Sequence, residues 1–220
     1  MKGIKELLII IVCALSCVFI INYEYKEEIN FDINGNEIKL SYNTKNPIVA
    51  IDIDKYGYIV LELYPDIAPN TVNNFVNLIL DGFYDNNSFH RLVPGFVLQG
   101  GDPNGNGTGG PGYSIKGEFT RNGFKNTLKH TEGIISMARA KGYNSAGSQF
   151  FIMLGNAETL DNKYAAFGKV IEGMDVLRKI EKTETVLDSE TGKLKNNITI
   201  NKIVVDVNDT KISDTIKLEY

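Results

Sequence analysis

The chain has 220 residues, 43% of them hydrophobic and 23% charged, which gives room for one globular domain of about 150–200 residues plus appendages. Twenty-three basic and 27 acidic residues leave a net charge of −4, too mild to suggest electrostatic binding of nucleic acid. Both cysteines, Cys13 and Cys17, lie in one N-terminal apolar run, so the remainder has no thiol for disulfides, metal ligation or nucleophilic attack.

The N-terminus reads as a targeting element. Lys2 and Lys5 precede the run Leu7 to Ile21, apolar except for Ser16, and the chain then turns polar and acidic. As a helix that run spans about 22 Å, short of the roughly 30 Å hydrocarbon core. The favoured expectation is an uncleaved anchor at 1–21, with Tyr23 and Tyr25 at the interface and the lysines inside the cell, which leaves the domain extracytoplasmic at the cell membrane. Ala14-Leu15-Ser16 before Cys17 keeps two alternatives open, a lipoprotein modified at Cys17 and a secreted form.

Residues 22–46 form a polar spacer. Within it Ile29, Phe31 and Ile33 alternate into Asn34-Gly35, and Ile38, Leu40 and Tyr42 alternate out, the pattern of a hairpin with a type I′ turn; a flexible stalk is the competing reading. From Pro47 the chain reads as short strands: Ile48 to Asp54, Tyr58 to Leu63, Phe96 to Gly101, Gly133 to Ala138, Gln149 to Leu154, Ala165 to Ile171 and Ile198 to Val207. Two stretches carry helical spacing. Pro69 opens a stripe of Val72, Phe75, Val76 and Ile79 that Asp81-Gly82 ends, and Met174, Leu177 and Ile180 form a second. Many short strands with two helices predict a mainly β, closed barrel whose open ends the helices cover. The polar stretch Glu181 to Asn197 reads as a long loop without a motif. In the tail, 208–220, Thr215 to Tyr220 echoes Glu37 to Tyr42, which suggests that these two segments pair.

Familiar catalytic and cofactor motifs do not fit these residues. Gly105-x-Gly107-x-x-Gly110 looks like a dinucleotide fingerprint, but Pro111-Gly112 and a β-like Tyr113-Ser114-Ile115 follow it where a helix should open. His90 and His130 lack a second ligand at metal spacing, and no Gly-x-Ser-x-Gly elbow is present. What remains is Arg91, Gln99 and Gln149 with Phe96, Val97, Phe151 and Leu160. Arg91, Val93, Val97 and Gln99 share strand parity on either side of Pro94-Gly95, so a polar and an apolar group can share one surface. Singly, each aromatic reads as core and Arg91 as a surface ion pair. Together they describe a place that holds a peptide and has no machinery to cut it.

The run Tyr84 to Gly101, with Lys129-His130-Thr131, Gly133 to Ala138, Gly147 to Ile152, Leu160-Asp161 and Phe167 to Val170 in that order, resembles the cyclophilin-type peptidyl-prolyl cis-trans isomerases over about residues 47–206. The resemblance implies an eight-stranded antiparallel barrel with two capping helices (domain 47–207), no cofactor, no metal, and proline-containing polypeptides as partners of a chain expected to be a monomer. It implies Arg91 as the catalytic residue with Gln99 beside it, and a proline pocket of Phe96, Val97, Phe151 and Leu160. Backbone around Ala138, Arg139 and Ala140, with Gln149, would hold the preceding peptide. His90 would support Arg91. Tyr164 stands where many relatives have histidine, and Thr159 replaces the tryptophan of cyclosporin-sensitive members, so weak cyclosporin binding is expected; a tight Kd for that drug would overturn the expectation. A non-catalytic peptide-binding module and a surface protein using the barrel as scaffold remain rival functions.

Overall fold

A computed structural model of the chain describes residues 27–33 and 36–218. The expected anchor at 1–21 and the Asn34-Gly35 turn lie outside the described residues. Two strands, β1 (Glu27–Ile33) and β2 (Asn36–Tyr42), pair antiparallel with Ile33 opposite Asn36. The main body follows as β3 (Ile48–Ile53), β4 (Gly57–Leu63), α1 (Pro69–Leu80), β5 (Ser88–Val93), β6 (Val97–Gly100), β7 (Ser114–Ile115), β8 (Ile134–Met137), β9 (Phe150–Met153), β10 (Ala166–Glu172), α2 (Met174–Thr183), β11 (Val186–Asp188), β12 (Lys193–Asp206) and β13 (Lys217–Leu218).

Eight of these strands close on themselves. The sheet order runs β12-β3-β4-β10-β8-β9-β6-β5, and β5 pairs again with β12, while β11 adds to the outside of β12. Every pairing in the ring is antiparallel. Closure leaves the ring without a free edge, so a barrel of short strands needs only a core to hold it. That core follows from strand alternation: Val49, Ile51 and Ile53 of β3 point inward with Ile59 and Leu61 of β4, Phe150 and Ile152 of β9, and Phe167 of β10.

The helices obey their sequence signals. Pro69 occupies the first turn of α1, and the stripe Val72, Phe75, Val76 and Ile79 is buried against the barrel. Ala68 provides no side-chain cap; instead the buried Glu118 carboxylate accepts from the N–H groups of Asn70 (3.1 Å) and Thr71 (2.7 Å) and from the Thr71 hydroxyl (2.7 Å). A distant anion thus satisfies the helix donors and meets the positive end of the helix dipole. In α2, Leu177 and Ile180 are the buried contacts, and Gly173 caps the helix start at φ +86°, where a Cβ would stand 2.7 Å from the Tyr58 carbonyl.

Two expectations change, and one feature is new. The sequence 181–197 is not a loop: it completes α2, forms β11 and begins β12 five residues before the predicted Ile198. Its polar side chains hide the pattern because most of them face solvent on a strand outside the barrel. The tail pairs elsewhere too: β13 joins β7, with Lys217 opposite Ile115, while β2 pairs with β1. Finally, Ile48, Ala50 and Val60 point outward yet are fully buried, with Tyr42 of β2 and Val204 of β12 packed on them. The outer face of β3 and β4 is therefore a covered apolar surface, which explains the nearly unbroken hydrophobic run in β3.

Candidate functional site

The site grows from one row of residues that crosses four adjacent strands. Arg91 of β5 lies opposite Gln99 of β6, Gln99 opposite Phe151 of β9, and Phe151 opposite Ser136 of β8. Val93 opposite Val97 and Val97 opposite Met153 form the next row on the same face. Direct cross-strand partners share a face, so a guanidinium, an amide and a phenyl ring stand side by side on the barrel's outer surface, with the inner core behind them. The turn Val93-Pro94-Gly95-Phe96 fixes that register: the Phe96 N–H donates to the Val93 carbonyl at 2.9 Å and Gly95 takes φ +70°.

These residues line a cavity of about 160 Å³ with Arg91, Phe96, Val97, Gln99, Ala138, Arg139, Phe151, Leu160 and Tyr164 as its walls. Of the residues expected from sequence, Gln149 joins at one remove and Ala140 is exposed beside the rim. One side of the cavity is a polar chain. Arg91 Nη1 donates to Gln99 Oε1 (3.2 Å), Gln99 Nε2 to Gln149 Oε1 (3.0 Å), and Gln149 Nε2 to the Gly109 carbonyl (3.0 Å). Arg91 Nε donates to the Thr191 carbonyl at 2.7 Å. Half-burial pulls the Arg91 pKa below the ordinary guanidinium value, the cost of placing a cation beside an apolar wall. Arg91 Nη2 has no hydrogen-bond partner among the described residues.

The other side is apolar and aromatic. Phe151 is buried, stacked on the His130 ring at 6.0 Å and edge-on to Tyr164 at 5.7 Å. The Arg139 guanidinium lies 4.6 Å above the Tyr164 ring, with Phe119 (5.3 Å) and Tyr143 (5.1 Å) on its other sides. Its Nε donates to the Lys163 carbonyl at 3.0 Å, so the side chain of Arg139 ties together the two loops that wall the cavity. His130 is held below by Asp161 at Nδ1 and Ser136 at Nε2, both at 3.1 Å. Burial lowers the His130 pKa more than the neighbouring carboxylate raises it. Burial also works against the Asp161 carboxylate, but donors from the His130 backbone, its ring and Lys129 leave that pKa below the ordinary value.

His90 is buried next to Arg91 in sequence, on the opposite face of β5, and desolvation lowers its pKa. Thr159 is exposed beside Leu160. Among the described residues no three His, Cys, Asp or Glu side chains converge as metal ligands. Two contributors escaped sequence reasoning. Thr191 acts through its carbonyl, which every residue type carries, so nothing in the sequence could mark it. Asp161 was visible only as part of a motif; its service to His130 requires the fold to bring 130 and 161 together.

Residues 48–205 match the family described as "Cyclophilin type peptidyl-prolyl cis-trans isomerase/CLD". The chain is 44% identical over 156 residues to a peptidyl-prolyl cis-trans isomerase of Helicobacter pylori, covering 70% of this chain and 92% of that protein. It is 46% identical over 134 residues to peptidyl-prolyl cis-trans isomerase B of Bacillus subtilis, covering 57% and 90% respectively. Among solved structures, a cyclophilin-type isomerase from Cryptosporidium parvum, crystallised in the presence of the dipeptide Ala-Pro, superposes with a TM-score of 0.64 at 35% identity, covering 73% of this chain and 99% of that one.

Proposed function

The chain belongs to the cyclophilin-type peptidyl-prolyl cis-trans isomerase family and is an enzyme of that class, and from this premise we propose that Arg91 catalyses rotation about X-Pro bonds in proline-containing polypeptides held in its groove. The observation that carries this reading is the pairing of opposites in one cavity: a guanidinium fixed through Nε and Nη1 faces an apolar wall of Phe96, Val97, Phe151 and Leu160. That the Cryptosporidium neighbour was crystallised with Ala-Pro supports a substrate of this kind.

Rotation about X-Pro must break amide resonance across a barrier of ~18–20 kcal/mol, and no covalent bond need form or break. At the twisted geometry the prolyl nitrogen recovers a lone pair. A donor aimed at it therefore binds the transition state better than either planar state. Arg91 supplies that donor as a planar, charged group, with Nη2 left for the nitrogen, and the apolar wall pins the ring while the preceding carbonyl turns. Backbone around Ala138 to Ala140, with Gln149, holds the residues before proline. A rate gain of about 10⁵ requires roughly 7 kcal/mol, within reach of positioning plus one charge-assisted bond in a half-dry groove.

In an X-Pro peptide assay on the full chain, Arg91→Ala loses most of kcat/KM, by a factor of about 100 or more, with an unchanged circular dichroism spectrum; full activity in that variant would refute the assignment. A pure binding module needs no donor at the rotating nitrogen, so the same variant would keep its peptide affinity and lose nothing else.

The finer setting is also our own reading. Lys2, Lys5 and the apolar run Leu7 to Ile21 support a domain displayed outside the cytoplasmic membrane, anchored by its N-terminus and assisting folding there. Among the described residues no helix is long and apolar enough to cross a membrane, and the run itself lies outside them. The mass of the mature N-terminus with protease accessibility in intact cells tests this reading: an intact Met1 and cleavable barrel are expected, while a barrel shielded until lysis would reject it.

A further inference from the structure

The segment that looked like a featureless loop contacts the groove's cation. We propose that the β11–β12 turn, Asp188 to Gly192, is a positioning element for the isomerase reaction, with Asp188 as the residue that sets it. This inference rests on the reading of Arg91 given above. Its basis is the bond from Arg91 Nε to the Thr191 carbonyl, 2.7 Å long, together with Arg91 Nη1 on Gln99. Two anchors on different nitrogens fix both the plane and the rotation of a guanidinium. Without the Thr191 anchor the plane can swing about Cδ–Nε, and Nη2 no longer points reliably along one line.

The turn is built to hold that carbonyl still. The Asp188 carboxylate accepts from the Glu190 N–H (2.9 Å), the Thr191 N–H (3.4 Å) and the Thr191 hydroxyl (2.8 Å), the pattern of an Asx turn. Its own carbonyl accepts from the Gly192 N–H at 2.8 Å, and the Gly192 carbonyl accepts from the Leu92 N–H, also at 2.8 Å. Gly192 takes φ +76°, and a Cβ there would stand 2.6 Å from Val93 Cγ2 and 2.9 Å from the Leu92 carbonyl. Only glycine lets the turn seat this closely on β5. Asp188, Ser189, Glu190 and Thr191 are all exposed, so their side chains contribute nothing to the core. Local order in an exposed turn is thus transmitted to the reacting group through one backbone carbonyl.

The test compares Asp188→Ala, Asp188→Asn, Arg91→Ala and the Asp188→Ala/Arg91→Ala double variant in the full chain. Asp188→Ala is expected to lower kcat about tenfold, with KM within about twofold and a nearly unchanged Tm, because misplacement of a group that acts in the transition state leaves ground-state binding alone. Asp188→Asn, which keeps an oxygen acceptor for the turn, restores most of that loss. The Arg91 Nε–H resonance, protected from exchange in the parent, exchanges faster in Asp188→Ala. In the Arg91→Ala background, Asp188→Ala costs nothing further. An unchanged kcat with an unchanged Arg91 resonance, or a loss that persists in the Arg91→Ala background, would overturn the proposal while leaving Arg91 as the catalytic residue. Full activity in Arg91→Ala alone would remove the reading of Arg91 and this inference with it.

Discussion

His130 illustrates how a residue outside the groove sets its shape. Its ring lies beneath Phe151, with Asp161 and Ser136 at its two nitrogens, and its side chain is 1% exposed. Burial favours the neutral ring, and the same holds for His90, so both fold with pKa values below the ordinary 6.5. The unfolded chain then binds protons more readily than the folded one. Stability contributed by these rings is complete above pH 6.5 and is lost as the pH falls through their lower folded values. Urea melts between pH 7.5 and 5 should show the midpoint falling with acid, with a shallower fall in His130→Gln; a flat profile in the parent would contradict the burial argument. The sequence marks His130 as part of a motif, but its duty as a stacked support is visible only once Phe151 is above it. Arg139 teaches the same lesson from the other side. Expected to act through its backbone, it also bridges two loops with its side chain and lies over Tyr164.

At the scale of elements, α1 is held from both faces. Its inner stripe enters the core, while Asn70, Asn73 and Asn77, spaced along its outer face, meet the tail: Asn70 bonds both polar groups of the Ile216 backbone, Asn73 accepts from Ser213 N–H, and Asn77 donates to the Ser213 carbonyl. Asn208 and Thr210 add bonds to the Asn46 and Lys45 carbonyls. Most of these bonds are exposed, and each is worth at most about 0.5–1.5 kcal/mol net. Because ordering the tail costs chain entropy that offsets most of this gain, ending the chain after Val207 should cost about 1–3 kcal/mol, roughly 2–10 °C in Tm, with kcat/KM within about twofold, since no tail residue lines the groove. A large loss of activity at unchanged Tm would show that the tail serves the site directly. Helix α1 was legible because Pro69, an apolar stripe and Asp81-Gly82 are local signals. The tail was not, because its hydrogen bonds use backbone groups and asparagines that a sequence presents as ordinary polar surface. Strand β11 and the start of β12 escaped for a related reason: they bury Leu194 and little else before Ile198, too few inward positions to show a period of two.

The described residues centre on one closed ring of eight strands, and Phe150 sits where helix and barrel meet. Its ring contacts Phe75 of α1 (5.3 Å), Tyr84 (5.7 Å) and Phe89 of β5 (5.9 Å), each near perpendicular. Phe150→Ala should destabilise the protein by about 3–5 kcal/mol with an unchanged denaturant slope, measured by equilibrium urea unfolding; a cost below about 1 kcal/mol would mean that the core repacks around the gap. By itself, the sequence determined the composition of this core, both helices and most ring strands, because alternation, helical stripes and turn signals are local; the groove residues from Arg91 to Tyr164 came instead from the family resemblance. Only the tertiary structure decided which strands close the ring, where the tail and the 181–197 segment go, and that Thr191 holds Arg91. Those outcomes depend on backbone groups and on contacts between residues a hundred or more positions apart, as Arg91 is from Thr191 and Lys45 from Thr210, and neither is written in side-chain pattern.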